Sequence, residues 1–276
     1  MSRPELAPAS ALLKEAFLPV AQPDQPYVDL GALNERLRGL FEFSIQRLDF
    51  RTGHVLDDSG RPAPADLYFR PLPPHKIQAW LQESKPFKDR RGGDFFVQAI
   101  DIHLRDNEDG SNRGAMSAHT TWAYVGMPRA KLLYRADGEH SDWKINYVYR
   151  QSLDPTAHAL KQKANPEKPH VVISVSEGAR LRDGVICTSE LSTLLFFAAD
   201  SSVTTAKKPH AICPIMVITA SCDTVRITQA IWNVKTGQIR IRMSPILEFP
   251  GGLWKNSTQY LSLLGWVVSD AVGKTR

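Results

Sequence analysis

Arginines alternate with apolar residues around an aromatic side chain between positions 225 and 248. Guanidinium groups bind phosphate bidentately, and an aromatic ring stacks on nucleobases. The pattern therefore predicts a surface for nucleic acid or another partner. Its residues are Arg226, Trp232, Arg240 and Arg242.

A β-hairpin must place these side chains on one face. Residues 235–237 predict a three-residue turn with Gly237 at positive φ, which pairs Trp232 with Arg240. That register gathers the arginines on one face and isoleucines on the other. The alternative interpretation is a plain solvated face with arginine stems packed over Trp232, because antiparallel sheets commonly leave one face in water.

A second group of polar residues follows from the order of the predicted elements. Residues 189–272 predict a helix, three strands and a helix, an αβββα unit. This order is similar to the core of PD-(D/E)xK nucleases, where a helix glutamate, a strand aspartate and a later (Glu/Asp)-x-Lys converge. The resemblance implies that Glu190, Asp223, Gln238 and Arg240 take these catalytic positions.

The resemblance also implies how such a site would work. In that family the carboxylates hold Mg²⁺, which generates the nucleophile, and the lysine assists the attacking water. Here Gln238 brings no negative charge, and Arg240 stays protonated, so it is a poor general base. The pattern favours a degenerate relative that does not cleave. Mg²⁺ is expected only under this nuclease-like interpretation, and the sequence predicts no other cofactor and no metal site.

Other patterns of catalysis are missing from the sequence. It contains no Gly-x-Ser-x-Gly, Walker loop, Gly-x-Gly-x-x-Gly, His-Glu-x-x-His or Cys-x-x-Cys. Aromatic residues do cluster in the middle of the chain, where they predict either an aromatic-lined ligand cavity or an ordinary sheet core. They are Trp122, Tyr124, Tyr134, Trp143, Tyr147 and Tyr149.

The composition places these residues in an ordinary globular protein. The chain has 276 residues, 42% hydrophobic and 23% charged, which excludes disordered, collagen-like and coiled-coil classes. The net charge of +5 is compatible with nucleic acid as a partner. Apolar runs at 194–199 and 261–268 are too short to span a bilayer. Without a signal peptide and with three cysteines, the sequence predicts an intracellular protein, cytoplasmic or nuclear, with no membrane partner.

The order of elements predicts an α+β fold. It has a mostly antiparallel sheet, flanking helices and a C-terminal helix. Residues 1–28, rich in proline, predict a flexible arm in which only 9–17 fit a short helix, and Asp29 predicts a helix N-cap. Residues 29–276 predict a single globular domain, and a subdivision near 155–170 is left open.

The C-terminal third also carries a family resemblance. Residues 183–274 contain SELSTLL, PIMVITASCDTVRITQA, IRIRMSPILEF and LGWVVSDAVGKT. In these segments the chain resembles a protein group of filamentous ascomycete fungi. The resemblance implies a fungal source and no particular activity.

Three classes of function are consistent with these sequence patterns. The first is an interaction or scaffold protein with a protein partner, which needs no catalytic motif. The second is a nucleic-acid-binding or degenerate nuclease-like module, supported by the hairpin arginines and a basic segment at 85–91. The third is an enzyme that binds a small molecule among the central aromatic residues.

Overall fold

A computed structural model describes residues 7–21, 25–63, 66–81, 120–125, 134–135, 143–153, 164–204 and 210–276. The basic segment at 85–91 lies outside these ranges, as does most of the region near 155–170. The described residues form an α+β fold with helices on both faces of one mixed sheet. The main strands are β1 (Glu42–Leu48), β4 (Trp122–Tyr124), β6 (Trp143–Gln151), β7 (Val171–Glu177), β8 (Ile212–Ser221), β9 (Thr224–Asn233) and β10 (Gln238–Met243). The short strands are β2 (Val55–Leu56), β3 (Phe69–Arg70), β5 (Tyr134–Arg135), β11 (Leu247–Glu248) and β12 (Asp270–Ala271). Of these, β3 and β12 pair with each other in a separate two-stranded sheet.

The sheet is mostly antiparallel, as the sequence predicts. Its order is β2-β1-β10-β9-β8-β7-β6-β4, with β5 beside β6 and β11 beside β9. Two neighbouring pairs are parallel: β7 with β8, and β1 with β10. The β7–β8 connection contains a long helix, as a parallel crossover requires. The predicted αβββα unit is this helix, the meander β8–β9–β10 and the C-terminal helix.

The helices divide between the two faces of the sheet. The crossover helix and the N-terminal helical segment cover one face, forming the first core with residues such as Leu12, Leu191 and Trp232. The C-terminal helix packs on the other face with a short helix, forming the second core with Tyr260, Trp266 and neighbours. The helices are α1 (Ala7–Ala11), α2 (Leu18–Ala21), α3 (Leu30–Arg36), α4 (Pro74–Leu81), α5 (Thr188–Thr204) and α6 (Ser257–Val267). Among the described residues, no helix is long and apolar enough to cross a membrane.

The N-terminal segment differs from the predicted arm. Residues 7–21 form α1, a π-helical turn at Leu12–Phe17 and α2. Leu12, Ala16 and Phe17 are buried against α5. The five prolines suggested a flexible arm, but the apolar residues between them complete the first core. The predicted N-cap is confirmed, because the Asp29 carboxylate accepts hydrogen bonds from two backbone amides of α3.

The predicted hairpin register is wrong by one residue. Trp232 pairs with Ile239, not with Arg240, and four residues at 234–237 connect the strands. The side chain of Asn233 accepts hydrogen bonds from the amides of Lys235 and Thr236, which stabilises the longer turn. Consequently Arg226 and Trp232 face the first core, whereas Arg240 and Arg242 lie on the opposite face of the sheet.

Candidate functional site

The predicted catalytic glutamate forms a buried ion pair. Glu190 lies in the first turn of α5, and its carboxylate accepts the Arg226 Nε–H at 3.0 Å and an Arg226 Nη2–H. The Thr228 hydroxyl and the Cys187 amide each donate to it at 2.9 Å. The Cys187 contact is the return half of a capping box, where an N3 glutamate binds the N-cap amide. Both side chains of the pair are fully buried.

The opposite charges of Arg226 and Glu190 compensate each other within the pair. Burial lowers the pKa of the Arg226 guanidinium, but the Glu190 carboxylate outweighs that effect and raises it. The Arg182 carbonyl accepts another Arg226 N–H at 2.7 Å. Because both Glu190 oxygens are bound by donors of this chain, the carboxylate holds α5 to β9.

A second carboxylate lies at the same end of the sheet. Glu177 ends β7 and accepts hydrogen bonds from the Ser189 hydroxyl and the Ala179 amide. Burial raises the pKa of Glu177, and the nearby charge of Glu190 acts in the same direction. These contacts tie the C-terminal end of β7 to the first turn of α5.

The other predicted catalytic residues lie apart from Glu190. Asp223 is exposed in the tight turn between β8 and β9. Gln238 is exposed at the far end of the hairpin, beyond the whole length of β9. Arg240 pairs with Ile231 and so lies on the face opposite Arg226. The fold does not bring the four nuclease-like positions together, and the described residues include no group of three His, Cys, Asp or Glu that could hold a metal ion.

The predicted binding surface of the hairpin is largely internal. Arg226, Trp232 and Arg242 are fully buried, and only Arg240 reaches solvent, with 28% of its side chain exposed. The prediction of a solvent-facing arginine surface is therefore wrong for three of its four residues. The alternative of a solvated face is wrong for the same reason: helices cover both sides of this sheet.

Three tyrosines meet on the opposite edge of the sheet. Tyr124, Tyr147 and Tyr149 lie with ring centroids 6.2–6.4 Å apart, two of the three contacts being edge-to-face. Tyr149 is buried, whereas Tyr124 and Tyr147 are half-buried at the border of the second core. We call these residues the tyrosine cluster.

Polar side chains continue the tyrosine cluster along β6 and β7. Tyr147 pairs with Ser174, and the exposed Lys144 pairs with Ser176, so these residues share one face. A bulge in β6 lets the Asn146 amide donate to the Ser176 hydroxyl at 2.8 Å. The Ser174 hydroxyl is buried, and no described residue forms a hydrogen bond with it. We call the tyrosine cluster together with Lys144, Asn146, Ser174 and Ser176 the tyrosine face.

Part of this face could be found from the sequence. The aromatic residues of the middle segment stand out there, and two of the tyrosines share one strand parity. The serines of HVVISVSE are polar positions in an otherwise apolar strand. Their proximity to Asn146 depends on the bulge, which periodicity does not reveal.

Comparisons with known proteins give no relative for this chain. No family model, curated protein or solved structure matches it.

Proposed function

We propose that the protein is a non-cleaving interaction module that binds single-stranded nucleic acid on its tyrosine face. The observation that carries the proposal is the adjacency of two half-buried tyrosines, Tyr124 and Tyr147, to the exposed cation of Lys144. Proteins that bind single strands combine aromatic rings for the bases with positive charge for the backbone.

The polar residues add hydrogen-bonding capacity beside the rings. Asn146 lies half-buried in the bulge before Tyr147, and its amide nitrogen donates to the Ser176 hydroxyl. Unpaired bases present donors and acceptors on their edges, which amides and hydroxyls of this kind recognise. Because Asn146 reaches Ser176 on the face that carries Tyr147, its side chain is placed to meet the edge of a base that stacks on that ring.

The order of elements supports the non-cleaving part of the proposal. Among the described elements, the order from α4 is helix, β4 and β5 beside β6, β7, helix α5, and then β8 parallel to β7. This order resembles the core of PD-(D/E)xK nucleases, including the additional strand of that core. It begins at α4, whereas the sequence pattern placed the nuclease-like unit at residues 189–272. In that frame Ser174 and Ser176 occupy a (Glu/Asp)-x-Lys spacing on the third strand, and Asn146 lies on the second. Serine and asparagine are neutral, so they supply no anionic ligands for Mg²⁺.

Fluorescence anisotropy with labelled 20-mers of dT and of double-stranded DNA tests the proposal. We expect micromolar binding of the single strand that weakens steeply between 50 and 200 mM salt. Tyr147→Ala and Tyr124→Ala should each weaken binding about fivefold or more, since base stacking contributes ~1–3 kcal/mol. EDTA should leave binding unchanged, and Mg²⁺ should yield no cleavage products.

The matched control is Tyr27→Ala, because Tyr27 is also half-buried but stacks under Arg182 near α3. This variant should bind like the unmodified protein. Absence of binding at 50 mM salt, or an equal loss in the control, would refute the proposed interface. Displacement by a mononucleotide alone would instead indicate a small-molecule site among the same tyrosines.

A protein partner is a second candidate, favoured by the border of the sheet at β1. Leu40 and Ile45 are 55% and 43% exposed, large values for apolar side chains of this size. Proximity labelling with the unmodified protein and Ile45→Glu tests this function. If the protein is a scaffold, at least one protein should be labelled by the unmodified chain and not by Ile45→Glu. The same set of labelled proteins in both experiments would argue against this surface.

A further inference from the structure

Arg242 is a buried cation that forms no ion pair with an acidic side chain in the described part of the protein. Its side chain is fully buried on the second-core face of β10. Its Nε–H donates to the Gln46 side-chain oxygen at 3.3 Å, and one Nη1–H donates to the backbone carbonyl of Asp66 at 2.7 Å. The guanidinium carbon lies 5.7 Å from the centre of the Tyr68 ring. The remaining nitrogen, Nη2, has no hydrogen-bond partner among the residues that the structure describes.

The surrounding charge does not neutralise this guanidinium. Arg240 lies two residues away on the same face, and the Asp66 carboxylate approaches Arg240 at 3.9 Å. Burial lowers the pKa of Arg242 to about 10, and the positive charge of Arg240 contributes in the same direction. Arg242 therefore remains charged at neutral pH, although it is surrounded by groups that only partly compensate it.

A second unpaired donor lies directly beside Arg242. Gln229 is its partner across β9 and β10, so the two Cα atoms are ~5 Å apart and the side chains share one face. Gln229 is buried, and within the described ranges its Nε2 amide also has no hydrogen-bond partner. Two buried donors with no acceptor are costly, because each loses its hydrogen bonds to water without replacement.

We propose that a small monovalent anion of the chloride type binds between the Arg242 Nη2 and Gln229 Nε2 atoms. Such an anion accepts both unpaired N–H groups and compensates the buried positive charge. A water molecule could accept the same hydrogen bonds, but it is neutral and leaves the guanidinium charge uncompensated. The site lies one strand in from the border, beside the exposed Ser44 and the half-buried Gln46, which gives an ion a short route inward.

Bromide supplies a direct test, because its anomalous scattering distinguishes it from water. Crystals of the full chain grown in sodium bromide should show an anomalous peak within hydrogen-bond distance of both donors. In solution, urea unfolding is measured while chloride replaces gluconate, a much larger organic anion, at constant ionic strength. Chloride at ten times its Kd should raise the folding equilibrium constant about elevenfold.

Variants separate this site from general salt effects. Gln229→Met and Arg242→Met should lose the chloride-dependent gain, whereas Arg240→Met should keep it. If Arg242→Met does not fold, Gln229→Met and the bromide crystals of the unmodified chain still decide the question. A water without anomalous signal, or the same chloride response in Gln229→Met, would overturn the proposal. The oligonucleotide experiments concern the other edge of the sheet, so either proposal can fail alone.

Discussion

Glu190 and Arg226 compensate each other inside the first core, where neither side chain touches solvent. Two buried charges lose their hydration, and only close contact and further hydrogen bonds offset that cost. Thr228 and Cys187 provide those bonds. The pair consequently fixes how the first turn of α5 sits on β9.

Removing one partner of this pair should be severe. In Glu190→Gln the Arg226 charge stays buried without a counterion, so we expect the free energy of unfolding to fall by about 3–5 kcal/mol. Urea denaturation followed by circular dichroism measures the loss.

The exposed pair of Arg38 and Glu35 provides the comparison, with side chains 76% and 71% exposed. Arg38→Gln should have almost no effect on the same measurement. Equal losses in Glu190→Gln and Arg38→Gln would show that the buried pair contributes no more than a surface pair.

His170 should make stability depend on pH. Its ring is buried against Phe69, and Nε2 lies 2.9 Å from the Val272 carbonyl, as a neutral imidazole N–H donor would. Burial lowers the pKa of His170 to about 4. Below its ordinary pKa of ~6.5 the unfolded chain binds a proton that the folded chain does not, so stability falls as pH falls from 6.5 towards 4, by up to about 3 kcal/mol.

Urea midpoints across that pH range test this dependence. His170→Gln should flatten the slope between pH 6.5 and 4, even if the variant is less stable throughout. His75→Gln, which changes an exposed residue of α4, should keep the slope of the unmodified protein. An unaltered slope in His170→Gln would assign the pH dependence to other groups.

Single residues were predicted from the sequence with uneven success. The Asp29 cap follows from local chemistry and is confirmed. The positions of Glu190 in a helix and Arg226 in a strand were also predictable. Their contact was not, because it depends on which face of β9 the helix α5 covers. An arginine in an alternating strand is exposed when one face meets water, but here both faces are covered.

At the scale of elements, the turn between β9 and β10 is a point of close approach. Gly237 has φ of +73°, and a Cβ there would lie 2.4 Å from the Leu40 carbonyl oxygen. The predicted positive φ is confirmed, although the turn is one residue longer than expected. This turn therefore sets how near the start of β1 can come to β10.

Gly237→Ala should destabilise the protein for two reasons. A side chain at positive φ costs ~1–2 kcal/mol, and the overlap with the Leu40 carbonyl adds a further cost. We expect a total of about 3 kcal/mol, measured by thermal or urea unfolding. Gly184→Ala isolates the first cause, because Gly184 has φ of +71° and open space around its Cβ position. Similar losses in the two variants would exclude the steric contribution.

The strands and helices were largely predictable because their apolar periodicity is local. The α+β class with a C-terminal helix is confirmed, and residues 189–272 contain the three predicted long strands between two helices, with the short strands β11 before and β12 after α6 in addition. The hairpin register was not, since the hydrogen bonds of the Asn233 side chain add one residue to the turn. That single residue reverses the faces of β10 relative to β9, which is why the predicted arginine surface failed.

At the scale of the whole molecule, the sheet is common to both cores. Trp232 is buried in the first core, and Trp266 in the second, where its indole N–H donates to the Phe50 carbonyl at 2.8 Å. The middle strands contribute alternate residues to each core. If one core is disrupted, the strands that also carry residues of the other core should therefore become exposed.

We expect the two cores to unfold in one transition. Incorporation of 5-fluorotryptophan gives separate ¹⁹F resonances, which Trp232→Phe and Trp266→Phe variants assign. The two signals should lose native intensity at the same urea concentration. Different midpoints would show that the two faces form independent cooperative units.

The parallel pairing of β1 with β10 has a consequence for synthesis. The two strands are separated by about 200 residues, so at ~5–20 residues per second β1 leaves the ribosome some 10–40 seconds before its partner exists. Asn34 meanwhile can bind both the N–H and the carbonyl of Phe43, only nine residues away. These two hydrogen bonds occupy backbone groups on one edge of β1 before β10 has been synthesised. It should reduce mispairing with other nascent chains until β10 emerges.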